Sequence, residues 1–127
     1  MQAMHIIVNK QVVEINLNMN KKIDLAIFLM LIHCFEQFRD DYNLTKVLSR
    51  YFGVIEYIDL SDFAIQNSLV SYETDNRMKN YIITPKGINF LKSLGESTFK
   101  NLLEANYQNS SKFIVIAKEI FIEKFPR

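Results

Sequence analysis

The stretch from Asn20 or Lys21 to Phe38 constrains this chain more than any other. Leu25, Phe28, Leu29, Ile32 and Phe35 recur at helical spacing, and Ile27, Met30 and Leu31 place apolar surface on the remaining sides. A helix that is apolar nearly all round is buried on more than one side. The rest of the chain, or a second copy of it, therefore has to cover this helix. Its longest apolar run, Leu25–Ile32, is far shorter than the ~20 residues needed to cross a bilayer. The expectation is a core helix ended by the polar loop Arg39-Asp40-Asp41.

Composition supports a folded core. The chain has 127 residues, the size of one domain, with 49% hydrophobic and 23% charged side chains. Ten Phe and six Tyr supply large apolar volumes in the absence of Trp. Three Gly and two Pro leave few breaks, which favours helices over a many-stranded sandwich. The net charge of +1 gives no strong pull toward nucleic acid or an anionic membrane, although a local basic patch remains compatible with it. Cys34 stands alone, so no internal disulfide can form, which suits a reducing compartment. No secretory-signal pattern opens the sequence. The expectation is a cytoplasmic protein without membrane contact.

Around the first helix, the periodicity changes in a definite order. His5–Leu17 alternates in two short runs about Asn9-Lys10, a pattern for an N-terminal β-hairpin. Asn43 can cap a second helix carrying Leu44, Val47, Leu48 and Tyr51, and Gly53 breaks it. Val54–Ile58 reads either as an extended link or as the lead-in to a helix. Asp59 or Ser61 can cap a third helix, Asp59–Asn67, with Leu60, Phe63, Ala64 and Ile65 turned inward. Leu69–Glu73 and Lys79–Ile83 read as strands about a polar turn at Thr74–Asn76. Thr84 caps a further helix with Pro85 at its first position and Gly95 at its stop. Phe99, Leu102 and Leu103 mark a short helix, Asn106–Ser110 a polar linker, and Lys112–Phe125 a last helix, with a strand at Phe113–Ile116 as an alternative.

Helix, helix, helix, strand, turn, strand, helix is the order of a winged helix-turn-helix. Its sharpest part is Asn80-Tyr81-Ile82-Ile83-Thr84-Pro85-Lys86-Gly87-Ile88-Asn89-Phe90-Leu91, which resembles the second wing strand and following helix of MarR/PadR-like regulators, where Y-x-I-T-x-K-G-x-x-x-L is common. The resemblance spans roughly Lys21–Leu94. It implies an α+β, mostly helical fold. The winged-helix core occupies 18–95, the N-terminal hairpin 1–17 and the C-terminal helices 96–127, all in one domain.

The resemblance also implies a dimeric DNA-binding transcriptional regulator. In such proteins the third helix enters the major groove, the second touches the backbone and the wing reaches phosphates. The corresponding residues here are Thr45, Lys46 and Arg50 on the second helix, Ser61, Gln66 and Asn67 on the third, and Arg77, Lys79 and Lys86 at the wing. Lys46 and Arg50, four apart, share a helical face. The third helix departs from the pattern. It holds Asp59 and Asp62 and no Lys or Arg, although affinity for duplex DNA comes from cations on phosphates. The alternative is a winged-helix protein–protein interaction module that has lost DNA contact. For the homodimer, the apolar surfaces of the first and last helices supply the expected interface at Leu25, Phe28, Ile32, Phe35, Phe113, Ala117, Ile120 and Phe121.

Catalytic chemistry has no candidate. Adjacent His33 and Cys34 point about 100° apart on a helix and do not readily share a metal, and His5 is remote in sequence. Asp40-Asp41 reads as a solvated loop pair. No phosphate loop, nucleophile–base set or metal-ligand spacing is found, so neither enzyme activity nor a cofactor or metal is expected.

Overall fold

The computed structural model describes the backbone of residues 4–8, 11–15, 19–107 and 112–127, and the side chains of 21–106 and 117–127. Among the described residues, six helices dominate: α1 (Met19–Cys34), α2 (Asp41–Phe52), α3 (Val54–Gln66), α4 (Pro85–Leu94), α5 (Glu96–Tyr107) and α6 (Lys112–Glu123). An antiparallel hairpin, Val70–Asp75 with Met78–Ile83, separates α3 from α4. The fold is thus mostly helical α+β. The hairpin expected at His5–Leu17 lies outside the residues with described side chains.

α1 is the central element, as its sequence demands. Every side chain from Leu25 to Ile32 is at most 1% exposed. α2, α3, α4, α5, α6 and the Met78–Ile83 strand all pack on it. The helix stops at Cys34, four residues before the expected end at Phe38. Phe35 turns extended (φ −132°, ψ 118°), and a 3-10 turn follows at Glu36–Phe38. The break sets the Phe35 ring edge-on against Phe38 (5.7 Å) and Phe121 (6.0 Å). The energy of these aromatic contacts offsets the lost helical turn.

α3 begins earlier than Asp59. A single residue, Gly53, joins it to α2. Gly53 holds φ 83° and ψ 164° and donates its N–H to the Ser49 carbonyl. Only glycine enters that backbone region without strain. The ambiguous stretch Val54–Ile58 is therefore the first part of α3.

The Val70–Ile83 hairpin is tighter than expected. Its register pairs Asp75 with Met78, so the turn is Asn76-Arg77, not Thr74–Asn76. Both residues have positive φ (50° and 64°), the pattern of a type I′ turn, whose twist matches the flanking strands. Beyond the turn, Thr84 closes the hairpin onto α4. Its N–H donates to Leu69 O (3.1 Å), its hydroxyl donates to Ser68 O (2.6 Å), and the same oxygen accepts from Gly87 N–H (3.0 Å). Gly87 lies so close beneath this closure that a Cβ would overlap the Leu69 carbonyl.

The loop after α1 is not free. Tyr81 N–H donates to Arg39 O (2.6 Å), and Asp40 bridges Asn80, so two loop residues add to the edge of the hairpin. At the other end, α5 and α6 fold back on α1. Phe99 packs against Phe121 (6.2 Å) and Phe125 (5.3 Å). Lys118 pairs with Glu104 (2.7 Å), and Arg127 forks onto Glu96 with two 2.8 Å bonds. α5 runs through Tyr107, so the expected polar linker at Asn106–Ser110 begins inside a helix. α6 ends at Glu123, short of Phe125.

Candidate functional site

The geometry of the α2–α3–hairpin unit is fixed by a half-buried polar cluster. Asp40 caps α2, accepting from Asn43 N–H (2.9 Å) and the Asn43 amide (2.8 Å). Asp41 Oδ1 accepts from the Tyr57 hydroxyl of α3 (2.6 Å) and the Tyr81 hydroxyl of the hairpin (3.0 Å). Thr45 and Ser61 lie within hydrogen-bonding reach of Tyr57 and Tyr81 respectively. Both tyrosine rings stand edge-on to Phe28 of α1 (6.1 and 5.5 Å). Burial, reinforced by the Asp41 carboxylate, pushes both phenols well above their ordinary pKa. The Asp40-Asp41 pair is therefore not a solvated loop: one member caps a helix and the other ties three elements together.

The outward face of α3 carries Ile55, Ile58, Asp59, Asp62 and Gln66, all exposed. Ile55 is 72% and Ile58 49% exposed, and Val54 at the helix start is 53% exposed. Ser61 does not belong to this face. It is 5% exposed and donates to Ile58 O (3.0 Å), so its expected contact with DNA bases is corrected. Thr45, half-buried against Tyr57, also turns inward. Asn67 ends α3, its side-chain amide donating to Phe63 O (2.9 Å), which leaves Gln66 as the exposed amide.

The expected cations lie on three separate elements. Lys46 and Arg50 project from α2 and are exposed. Arg77 is exposed at the hairpin turn. Lys79 is half-buried, its ammonium 5.2 Å from the centre of the Tyr72 ring. Lys86, also half-buried, is the second residue of α4.

Comparison of the chain with protein-family models, curated proteins and solved structures gives no match.

The apolar residues expected at a dimer interface are largely used inside the chain. Leu25, Phe28, Ile32, Ala117 and Phe121 are 0–2% exposed within one protomer. A second copy cannot reach them without opening the core, which corrects the expected interface at these five positions. Phe35 is half-buried on Phe38 and Phe121, and Ile120 is half-buried. Phe113 lies outside the residues with described side chains. The excess apolar surface read from α1 is covered by this chain's own helices.

A small cavity of about 130 Å³ is lined by Ile32, His33, Arg39, Tyr81, Ile82 and Ile83. Small-molecule sites usually measure about 300–1,000 Å³, so this one suits at most a few waters. Burial holds His33 below its usual pKa and pushes the Cys34 thiol up to about 11. Neutral forms of both suit a core-edge position. Among the described residues, no three His, Cys, Asp or Glu side chains are grouped to hold a metal ion, and no helix is long and apolar enough to cross a membrane.

Proposed function

We propose that the chain is a winged-helix interaction module whose third helix docks a protein surface instead of reading a DNA groove. The observation that carries this reading is the outward face of α3. That face is exposed, apolar at Ile55 and Ile58, acidic at Asp59 and Asp62, and contains no Lys or Arg. Base edges are read by Arg, Lys, Asn and Gln, and carboxylates beside phosphates repel. Large exposed apolar side chains grouped on one face are the usual mark of a protein contact. The winged-helix identity is supported by the element order and by the Thr84–Gly87 junction. An N-terminal hairpin belongs to the same proposal, supported by the antiparallel register of Met4–Val8 with Gln11–Ile15.

A second reading, a DNA-binding transcriptional regulator, draws on exposed Lys46, Arg50 and Arg77. Three phosphate contacts give a log–log salt slope near −2.7, at about −0.9 per phosphate. The deciding experiment is fluorescence anisotropy of labelled duplexes titrated at low and moderate salt. The docking reading predicts at most weak, steeply salt-dependent and sequence-independent binding. That binding is lost when Lys46 and Arg50 become Ala and is unaffected by Gln66→Ala. Sequence-selective binding that Gln66→Ala abolishes overturns it.

A further inference from the structure

We infer that the partner of this face is a basic amphipathic helix of another protein, with apolar side chains over Ile55 and Ile58 and Lys or Arg over Asp59 and Asp62. The inference rests on the reading of α3 as a docking face and adds the chemistry of its occupant. All the residues concerned stand on one helix. At about 100° per residue, Ile55, Ile58, Asp59, Asp62 and Gln66 fall within an arc of about 100°, a single stripe along α3. All five are exposed. The stripe is graded along its length. Ile55 and Ile58 form its first turn, flanked by exposed Val54, and the two carboxylates follow about 6 Å further on, at about 1.5 Å per residue. α3 contains no Lys or Arg, and among the described residues neither carboxylate is drawn into an ion pair.

A helix face offers side chains only, because its backbone N–H and C=O groups are already bonded to one another. An extended strand laid on it would bury backbone groups without partners. A helix arrives with its own groups satisfied, so a helix is the occupant this stripe fits. The stripe also dictates what that helix carries. Side chains three and four apart share a face, so it needs apolar residues over the isoleucines and Lys or Arg one turn along. Exposed ion pairs add little affinity, so burial of the isoleucines holds the partner and the carboxylates choose its sign. A neutral helix leaves both carboxylates unpaired at the contact, and an acidic helix or a nucleic-acid phosphate repels them. A stripe of about three turns is a small face, which fits association at about 10–100 μM.

Phage display of random peptides, each about 16 residues long, on the full chain tests this. Soluble copies of the enriched peptides are then measured by fluorescence anisotropy at low salt and by circular dichroism. The enriched peptides are expected to be basic, with Lys or Arg one turn from Leu, Ile or Phe, and to gain helix on binding. Their affinity is expected to fall at least tenfold for D59K/D62K and for I55S/I58S, and less for the uncharged D59N/D62N. All four positions are exposed, and thermal melts check that the variants remain folded. Display on D59K/D62K is expected to enrich acidic peptides instead. Enriched peptides that are neutral or acidic, basic ones that bind D59K/D62K as tightly as wild type, or ones that bind without gaining helix overturn the inference. Where I55S/I58S still weakens such peptides, the docking reading stands. Self-association of the chain that I55S/I58S abolishes assigns the face to a second copy and overturns the inference too, as does failure to enrich any peptide that I55S/I58S weakens. Sequence-selective duplex binding lost with Gln66→Ala removes the docking reading itself.

Discussion

Gly87 leaves no room for a side chain. A Cβ there would overlap the Leu69 carbonyl and lie 2.8 Å from Ile83 Cγ1. Backbone cannot yield as a flexible side-chain tip can. Gly87→Ala is therefore expected to cost about 2–4 kcal/mol, read from urea unfolding at constant m-value. Asp41 makes a second demand at this scale. Removing one phenol with Tyr81→Phe deletes a bond to a carboxylate and is expected to cost about 1–3 kcal/mol. The raised pKa values of Cys34, Tyr57 and Tyr81 give a signed pH dependence. Each group favours its neutral form when folded, so its contribution is fully present below its unfolded pKa and is lost as pH rises toward the folded value. Stability should begin to fall above pH about 9, as Cys34 ionises in the unfolded chain, and fall further above about 10 with the two tyrosines. Cys34→Ala should remove the part of the loss lying between the unfolded value of 9.0 and about 11, and urea unfolding across that range checks it.

At the level of elements, two junctions decide where the candidate site points. Gly53 turns α2 into α3 with one residue of φ 83°, so Gly53→Ala should destabilise by about 1–3 kcal/mol and loosen the α2–α3 angle. Arg77 occupies a left-handed turn position that glycine fills without strain. Arg77→Gly should therefore stabilise by about 1 kcal/mol, measured by thermal melting, while removing a surface cation. Much of this architecture was legible in the chain. The periodicity of Leu25–Ile32 announced the buried helix, and Thr84-Pro85-Lys86-Gly87 announced the strand-to-helix junction. The boundaries that escaped are those set by tertiary contact. Phe35 leaves the helix to meet Phe121, which lies 86 residues on. Val54–Ile58 alternates in neither period, because its outward side chains are apolar where water should meet polar ones. That anomaly is the candidate site, and it hid the start of α3 from a reading based on amphipathic pattern. The Asp41 cluster escaped for a related reason: adjacent carboxylates usually signal solvent, and only the fold brings two tyrosines onto one of them.

For the whole molecule, one helix organises the rest. α1 is covered by elements from both the middle and the end of the chain, so its apolar girth is satisfied within one protomer. Leu29→Ala at its centre should cost about 2–5 kcal/mol and lower the cooperativity of the whole transition, because α1 packs on both α2 and α5. With α1 spent internally, the apolar surface left for a partner lies outside it, and Ile55 of α3 is the most exposed large apolar side chain among the described residues. On the proposed function, this helix meets protein and not bases. Selection from a random-sequence duplex pool tests it most directly. No consensus is expected to emerge over repeated rounds, and any retained DNA is expected to be lost equally for all sequences as salt rises. Emergence of a defined consensus that wild type binds and Gln66→Ala does not would contradict it.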